Sequence, residues 1–181
     1  ITGKITVNVA DSEKPSLNLP DNLVVSATGP SGATVTYQAS ANDEVWGKLA
    51  PICSPMSGAN FPLGTTRVSC SATDTSNNKT VDTFDVTVAD KDKPVLELPA
   101  DLKVEARDST GAPVAFAASA SDVVDGVVRV ACNRLPGETF GRGATRVTCS
   151  ARDRAENVAE GSFTVTVGDE TGPVLRLPVN V

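Results

Sequence analysis

The stretch FPLGTTRVSCSATD at residues 61–74 returns almost unchanged as FGRGATRVTCSARD at residues 140–153. Both copies carry a cysteine at the same point. In the first copy, Val68, Cys70 and Ala72 alternate with polar side chains and so fall on one face. A period of two is typical of a strand with one buried and one exposed face. The repeated stretch therefore predicts a half-buried β-strand that occurs twice.

The repetition extends over most of the 181-residue chain. Pro15, Pro94 and Pro173 lie 79 residues apart, and the cysteines recur at the same interval. Self-similarity at one fixed period is the signature of tandem repeats. We therefore expect two full units, at residues 11–90 and 91–169.

The two ends of the chain follow the same period. ITVNVAD near the start matches FDVTVAD at the end of the first unit, and GPVLRLPVNV at the end matches KPVLELPADL at the start of the second. We expect residues 1–10 to form the last strand of a preceding repeat. Residues 170–181 are expected to form the first strand of a following one, as in a longer tandem array.

Each unit is predicted to be all-β. TVTYQAS at 34–40 and TFDVTV at 83–88 alternate like the repeated stretch, and NLVVSAT and EVWGKLAPIC are less regular strand candidates. Turn sequences such as PDN, GPSG and TSNN separate them. About seven short strands in about 80 residues are typical of an immunoglobulin-like β-sandwich. The predicted fold class is two tandem immunoglobulin-like β-sandwich domains, each with one intradomain disulfide.

The chain has four cysteines, two in each expected unit. A small sandwich is only marginally stable alone, and a bridge closing a loop of this length stabilises by about 3 kcal/mol. We predict the bridges Cys53–Cys70 and Cys132–Cys149. A four-cysteine metal site is the weaker alternative, because the pairs lie in separate units without C-x-x-C spacing. Disulfides require an oxidising compartment and so predict an extracellular or cell-surface protein.

Composition excludes several classes of function. The net charge is −6, which disfavours nucleic-acid binding, and no apolar run is long enough for a membrane helix. The chain contains no histidine, which removes the commonest general base and metal ligand. Motifs of nucleophilic or phosphate chemistry are also missing. We expect no enzymatic activity and no cofactor other than calcium.

Several features recur in both units besides the cysteines. They are the proline before LNLP or LELP, the acidic loop before glycine, the repeated stretch, the asparagine after it, and the closing FDVTVAD or FTVTVGD. In this combination each unit resembles the HYR (hyalin repeat) domain, an extracellular module related to the immunoglobulin-like fold. The resemblance implies a role in cell adhesion or matrix assembly and supplies no catalytic residues. One departure is Trp46 before Gly47, where the second unit has Asp125 before Gly126.

Carboxylates are concentrated at the unit junctions DSEKP, DKDKP and DETGP. Calcium prefers six to eight oxygen ligands, so these junctions are calcium candidates. The candidate ligands are Asp11, Glu13, Asp90, Asp92, Asp169 and Glu170. Further ligands could come from the loop acids Asp43, Asp74, Asp122, Asp125 and Asp153. The alternative is a polar linker in which aspartates cap turns and neighbouring lysines cancel charge.

Two further features are candidate binding sites. Trp46, the only tryptophan, could anchor a partner or could cap the end of the core. The second unit is rich in arginine, and Arg142, Arg146 and Arg152 could bind an anionic glycan or an acidic chain. Strand alternation also places charges outside, so a solvated surface is the alternative.

The leading functional prediction is a non-catalytic extracellular tandem-repeat module for adhesion or surface and matrix structure, acting as a stalk or fibre segment. Its partners are then neighbouring repeats of the same chain. Alternatives are a specific module for an extracellular glycan or protein, and a filament subunit that joins other copies of itself through its terminal strands. Nucleic-acid partners and membrane insertion are not expected.

Overall fold

The computed structural model describes residues 3–172 and residue 175. Over these residues the chain consists of β-strands, turns and irregular segments without a helix. It divides into two compact units, with the boundary between Lys91 and Asp92. The two units have the same strand order, which confirms the all-β fold of two tandem sandwiches.

Nine strands lie in the described residues of the first unit. Strands β1 to β9 span Ser16–Asn18, Leu23–Ser26, Ala33–Val35, Ser40–Asp43, Gly47–Leu49, Ile52–Ser54, Ala59–Phe61, Gly64–Thr73 and Lys79–Ala89. One sheet has the order β2-β9-β8-β6 and a second has the order β1-β4-β5, while β3 and β7 form a ribbon. The pair β2/β9 is parallel and the other pairs are antiparallel.

The second unit repeats this arrangement. Strands β10 to β18 span Val95–Glu97, Leu102–Glu105, Ala112–Pro113, Ser119–Asp122, Gly126–Val128, Val130–Cys132, Thr139–Phe140, Gly143–Arg152 and Val158–Gly168. Its sheets have the orders β11-β18-β17-β15, β10-β13-β14 and β12-β16. Within the described part of each unit, the expectation of about seven strands was therefore too low by two, because strands of two to four residues are too short for alternation to be recognised in the sequence.

The long hairpin β8–β9 supplies much of the first core. Val68 is fully buried opposite Phe84, as the alternation of the repeated stretch predicts. The same face buries Cys70, Ala72, Val86 and Val88. The rings of Tyr37 and Phe84 meet edge to face, with centroids 4.9 Å apart. The inner residues of both strands thus pack as a period of two requires.

The strand expected at 34–40 is divided in two. Strand β3 ends at Val35 and pairs with β7, whereas β4 begins at Ser40 and pairs with β1 and β5. Between them the backbone of Tyr37 bonds to a side chain instead of a strand. Its amide donates to Ser57 Oγ at 2.9 Å, and that hydroxyl donates to the Tyr37 carbonyl at 2.8 Å. The side-chain bonds allow the chain to leave one sheet and join another.

The ends of the chain were predicted to be strands of neighbouring repeats. Residues 3–10 are exposed and form no strand here, so the assignment of residues 1–10 to a preceding repeat stays a prediction. Most of the strand expected within 170–181 falls on residues 173, 174 and 176–181, which lie outside the described residues.

Candidate functional site

Asp43 ends β4 and organises the tight turn to β5. Its Oδ1 accepts hydrogen bonds from the amides of Val45 and Trp46, at 2.9 and 3.0 Å. Aspartate commonly closes a turn in this way, since its short side chain reaches the backbone two residues on. The side chain is only 3% exposed, and Oδ2 is buried without a hydrogen-bond partner. One carboxylate oxygen of Asp43 therefore stabilises the turn, and the other has no hydrogen-bond partner.

Asp74 follows β8 and holds the turn to β9. Its Oδ1 accepts from the amide of Asn78 at 2.8 Å and its Oδ2 from the side-chain amide of the same residue at 2.8 Å. Asn78 Nδ2 also donates to the carbonyl oxygen of Asp11 at 3.2 Å. Asn78 therefore links the β8–β9 turn to the segment that leads into β1. The recurrence of this asparagine as Asn157 in the second unit is the sequence signal that could have indicated the role.

Asp11 lies half-buried before β1. Its Oδ1 accepts from the amide of Glu13 at 3.1 Å, and its Oδ2 accepts from the indole nitrogen of Trp46 at 2.9 Å. Carboxylate oxygens of Asp11, Asp43 and Asp74 lie within 4.8 Å of one another. We call these three residues the aspartate cluster. The structure thus joins one predicted junction acid to two of the predicted loop acids.

The second unit builds the same turns. Asp122 Oδ1 accepts from the amides of Val124 and Asp125, at 2.7 and 3.0 Å, and its Oδ2 is again buried without a partner. Asp153 holds Asn157 through the same two bonds that Asp74 makes. Asp125, at the position of Trp46, instead accepts from the amide of Arg154 at 2.7 Å.

The other predicted junction acids differ in their exposure. Glu13 and Asp92 are exposed and Asp90 is half-buried. Asp169 forms an ion pair with Arg142 at 2.6 Å. The amide of Glu170 donates to Glu105 Oε1 at 3.0 Å. The hydroxyl of Thr171 and the amide of Glu170 lower the pKa of the Glu105 carboxyl by hydrogen bonding to its charged form.

The predicted arginine site is largely occupied by neighbouring side chains. Arg142 pairs with Asp169, and Arg152 pairs with Glu156 at 2.5 Å. Arg146 donates to the hydroxyl of Ser162 at 2.9 Å. Partner carboxylates weaken the local positive potential, so two of the three arginines offer less attraction to an anion than their sequence suggests. Anion binding by Arg142, Arg146 and Arg152 stays a prediction.

Trp46 is half-exposed at 47%, with its indole nitrogen bound to Asp11. It therefore lies at the edge of the aspartate cluster and not in the core. Whether it also binds a partner stays a prediction.

Both predicted disulfides are formed. Cys53 in β6 lies directly opposite Cys70 in β8, and Cys132 lies directly opposite Cys149. Each bridge joins two strands of the four-stranded sheet within one unit. In each case the two cysteines have a sequence separation of 17. Each bridge thus closes a loop inside one sandwich, as the repeated positions predicted.

Among the described residues, no helix has the length and apolar character needed to cross a membrane.

The family model of the HYR domain matches residues 10–88 and 89–167. The two matches are consecutive and together cover most of the sequence. They correspond to the two sandwiches with the same strand order and the same disulfide. The chain belongs to the HYR domain family.

Two curated relatives are both named Hyalin. The Hyalin of Lytechinus variegatus is 27% identical over 98% of this chain and 36% of its own length. That of Strongylocentrotus purpuratus is 29% identical over 92% of this chain and 15% of its own length. The chain thus spans about a third or less of the relatives it matches. Among solved structures, the fibronectin(III)-like modules of Clostridium thermocellum CbhA are 14% identical, with a TM-score of 0.33 over 90% of this chain and all of theirs.

Proposed function

We propose that the chain is a non-catalytic extracellular module of adhesion type, and that it acts as a stalk or fibre segment in a tandem array. The observation that supports this proposal is that two equivalent sandwiches follow one another directly in the sequence, each with a disulfide at the same position. The similarity to proteins named Hyalin supports the same class. A structural segment needs repeated stable units and no reaction centre.

The disulfides support a role under mechanical load. The bridge Cys53–Cys70 joins neighbouring strands, so the residues between the two cysteines stay folded back on themselves when the rest of the unit is extended. At about 3.5 Å for each extended residue, the closed loop withholds about 55 Å of chain. The bridge thus limits how far each unit can be drawn out.

Single-molecule pulling of the chain between two handles tests the stalk. We expect two unfolding steps, one for each sandwich. In reducing buffer each step should become longer by about 55 Å, because the loop is then released. A variant with Cys53→Ala and Cys70→Ala should lengthen only one step under oxidising conditions. A smooth extension without steps contradicts the proposal.

An extracellular location is part of the proposal, and it rests on the disulfides because such bonds persist in oxidising compartments. Alkylation of natively produced protein before and after reduction, read by mass spectrometry, tests it. We expect all four cysteines to be protected until reduction. Four reactive thiols in native material would contradict an extracellular location.

A glycan-binding role is a weaker proposal, because Arg142 and Arg152 already bind carboxylates. A glycan array, with Arg146→Ala as the comparison, tests it. Retention of a sulfated glycan by the chain, with loss in the variant, would favour this role over the stalk alone.

A further inference from the structure

The aspartate cluster brings three carboxylates together from three separate segments of the first unit. Asp11 lies before β1, Asp43 ends β4, and Asp74 follows β8. Asp43 and Asp74 are 3% and 6% exposed. The ion pairs found among the described residues include none of these three side chains. The cluster therefore concentrates negative charge in a poorly hydrated place without a cationic side chain bound to it.

The hydrogen bonds of the cluster identify one unsatisfied atom. Both oxygens of Asp11, both oxygens of Asp74 and Oδ1 of Asp43 each accept at least one hydrogen bond. Asp43 Oδ2 accepts none, although it is buried. A buried carboxylate oxygen is stable when it is paired or bound to a metal. The same oxygen of Asp122 is buried and unsatisfied at the equivalent position of the second unit, so the feature is built into the repeat.

The hydrogen bonds also hold these carboxylates in place. Asp43 is fixed by two backbone amides, and Asp74 is fixed by both amide groups of Asn78. A site whose ligands are already held by the fold loses little side-chain freedom when an ion binds.

We propose that the aspartate cluster binds a calcium ion. Calcium takes oxygen ligands at about 2.3–2.6 Å, so oxygens on one coordination sphere can lie up to about 5 Å apart. The separations in the cluster satisfy this limit. Magnesium fits less well, since it keeps most of its water and usually takes only one or two carboxylates. Backbone carbonyls and water would complete the calcium sphere.

Calcium at this position would connect the segment before β1 to the β4–β5 and β8–β9 turns. The contacts that now hold Asp11 are hydrogen bonds from Glu13, Trp46 and Asn78. An ion would add a charged connection to three segments at once. The bound ion would therefore hold the segment before β1 more rigidly against the rest of the first unit. The stalk proposal does not itself require this rigidity.

Trp46 makes the site directly observable. It is the only tryptophan of the chain, and its indole nitrogen bonds to a ligand carboxylate of the proposed site. Terbium occupies calcium sites and emits when a neighbouring indole is excited. We expect terbium emission on tryptophan excitation, displaced by calcium and much less by equal magnesium. Emission that calcium cannot displace would overturn the proposal.

Asp43→Asn is the decisive variant. Its side-chain oxygen can still accept the two amide bonds of the turn, while an NH₂ group replaces the unsatisfied oxygen and one negative charge of the cluster is removed. We expect the variant to fold in chelator and to lose the terbium signal. Asp21→Asn, at an exposed position after β1, should keep it. A signal unchanged in Asp43→Asn would overturn the proposal.

Thermal unfolding followed by Trp46 fluorescence gives a second readout for the first unit alone. At free calcium 100 times its Kd, we expect the midpoint to rise by about 10–20 °C relative to chelator. The rise should be absent in Asp43→Asn. If that variant does not fold, Asp11→Asn replaces it.

Trp46→Phe should abolish terbium emission but retain the calcium-dependent rise of the unfolding midpoint, measured by circular dichroism. Equal midpoints in calcium and chelator would overturn the proposal.

Discussion

Gly32 lies so close to Phe61 that a Cβ atom on the glycine would be 1.9 Å from the phenylalanine carbonyl oxygen. The backbone φ of Gly32 is 103°, which side chains rarely adopt. Gly111 has the same relationship to Phe140 in the second unit, with the same distance and a φ of 118°. Only glycine allows the backbone to pass this close to the partner strand just before β3 and β12 begin.

Gly32→Ala should therefore destabilise the first unit by about 3 kcal/mol, because the strained φ and the backbone clash act together. Urea unfolding followed by Trp46 fluorescence measures this unit. Gly29→Ala is the matched control, since its Cβ would meet no atom within 4 Å. Gly111→Ala should leave the Trp46 transition unchanged. A Gly32→Ala midpoint equal to that of Gly29→Ala would show that the close approach costs nothing.

Replacing Cys53 and Cys70 by alanine should destabilise the first unit by about 3 kcal/mol, because the unfolded chain regains the freedom of the closed loop. The comparison is the variant with alanine at Cys132 and Cys149. It should leave the Trp46 midpoint in urea at its original value. Equal effects of both double variants on that midpoint would mean that the units do not unfold independently.

Tyr37→Phe should cost the first unit about 1 kcal/mol. The tyrosine hydroxyl donates a hydrogen bond to the carbonyl oxygen of Pro55, and the variant loses that bond. Its ring should keep the edge-to-face contact with Phe84, since Phe116 packs in the same way on Phe163 in the second unit. Equilibrium unfolding in urea gives the difference. A stability that does not change would mean that the hydroxyl contributes nothing beyond its solvation in the unfolded chain.

Alkaline pH should remove part of the stability that Tyr37 provides. Burial raises the pKa of the Tyr37 hydroxyl above its ordinary value near 10, because the phenolate is poorly solvated. The folded state therefore holds the proton more tightly than the unfolded state. The resulting stability is complete below the unfolded pKa and decreases as the pH rises through the folded one. The stability difference between the original protein and Tyr37→Phe, measured at increasing pH, should shrink above about pH 10. A constant difference would contradict this linkage.

Asn78→Ala should destabilise the first unit by about 1–2 kcal/mol. The variant removes donors to Asp74 Oδ2 and to the carbonyl of Asp11, so both acceptors lose a partner. Asn157→Ala is the counterpart in the second unit and should not alter the Trp46 transition. Trp46 fluorescence in urea again provides the measurement. An effect below about 0.3 kcal/mol would argue that water replaces the asparagine amide.

Much of the fold follows from local patterns. The alternation around Val68 and Phe84 predicted which face is buried, because successive side chains of a strand point to opposite sides. The same reasoning was wrong at Tyr37, where alternation continues but the strand does not. There the partner is the hydroxyl of Ser57, 20 residues away, and no local pattern contains that contact.

The aspartate cluster, too, could be predicted only in part from the sequence. Sequence pointed to Asp11 and Glu13 because they are neighbours at a junction, whereas the structure places Asp11 beside Asp43 and Asp74. The loop acids were recognised as possible ligands, but their meeting could not be derived. It depends on how β1, β4 and β8 are arranged in the sandwich.

By itself, the sequence determined the repeat, the all-β class, the buried faces of the long hairpins and the cysteine pairs, because each is expressed in a period or a recurring position. Only the tertiary structure decided where the chain changes sheets and which carboxylates share one space. Those outcomes depend on contacts between segments some 30 residues apart, such as Trp46 with Asp11, and these form only when the sheets pack.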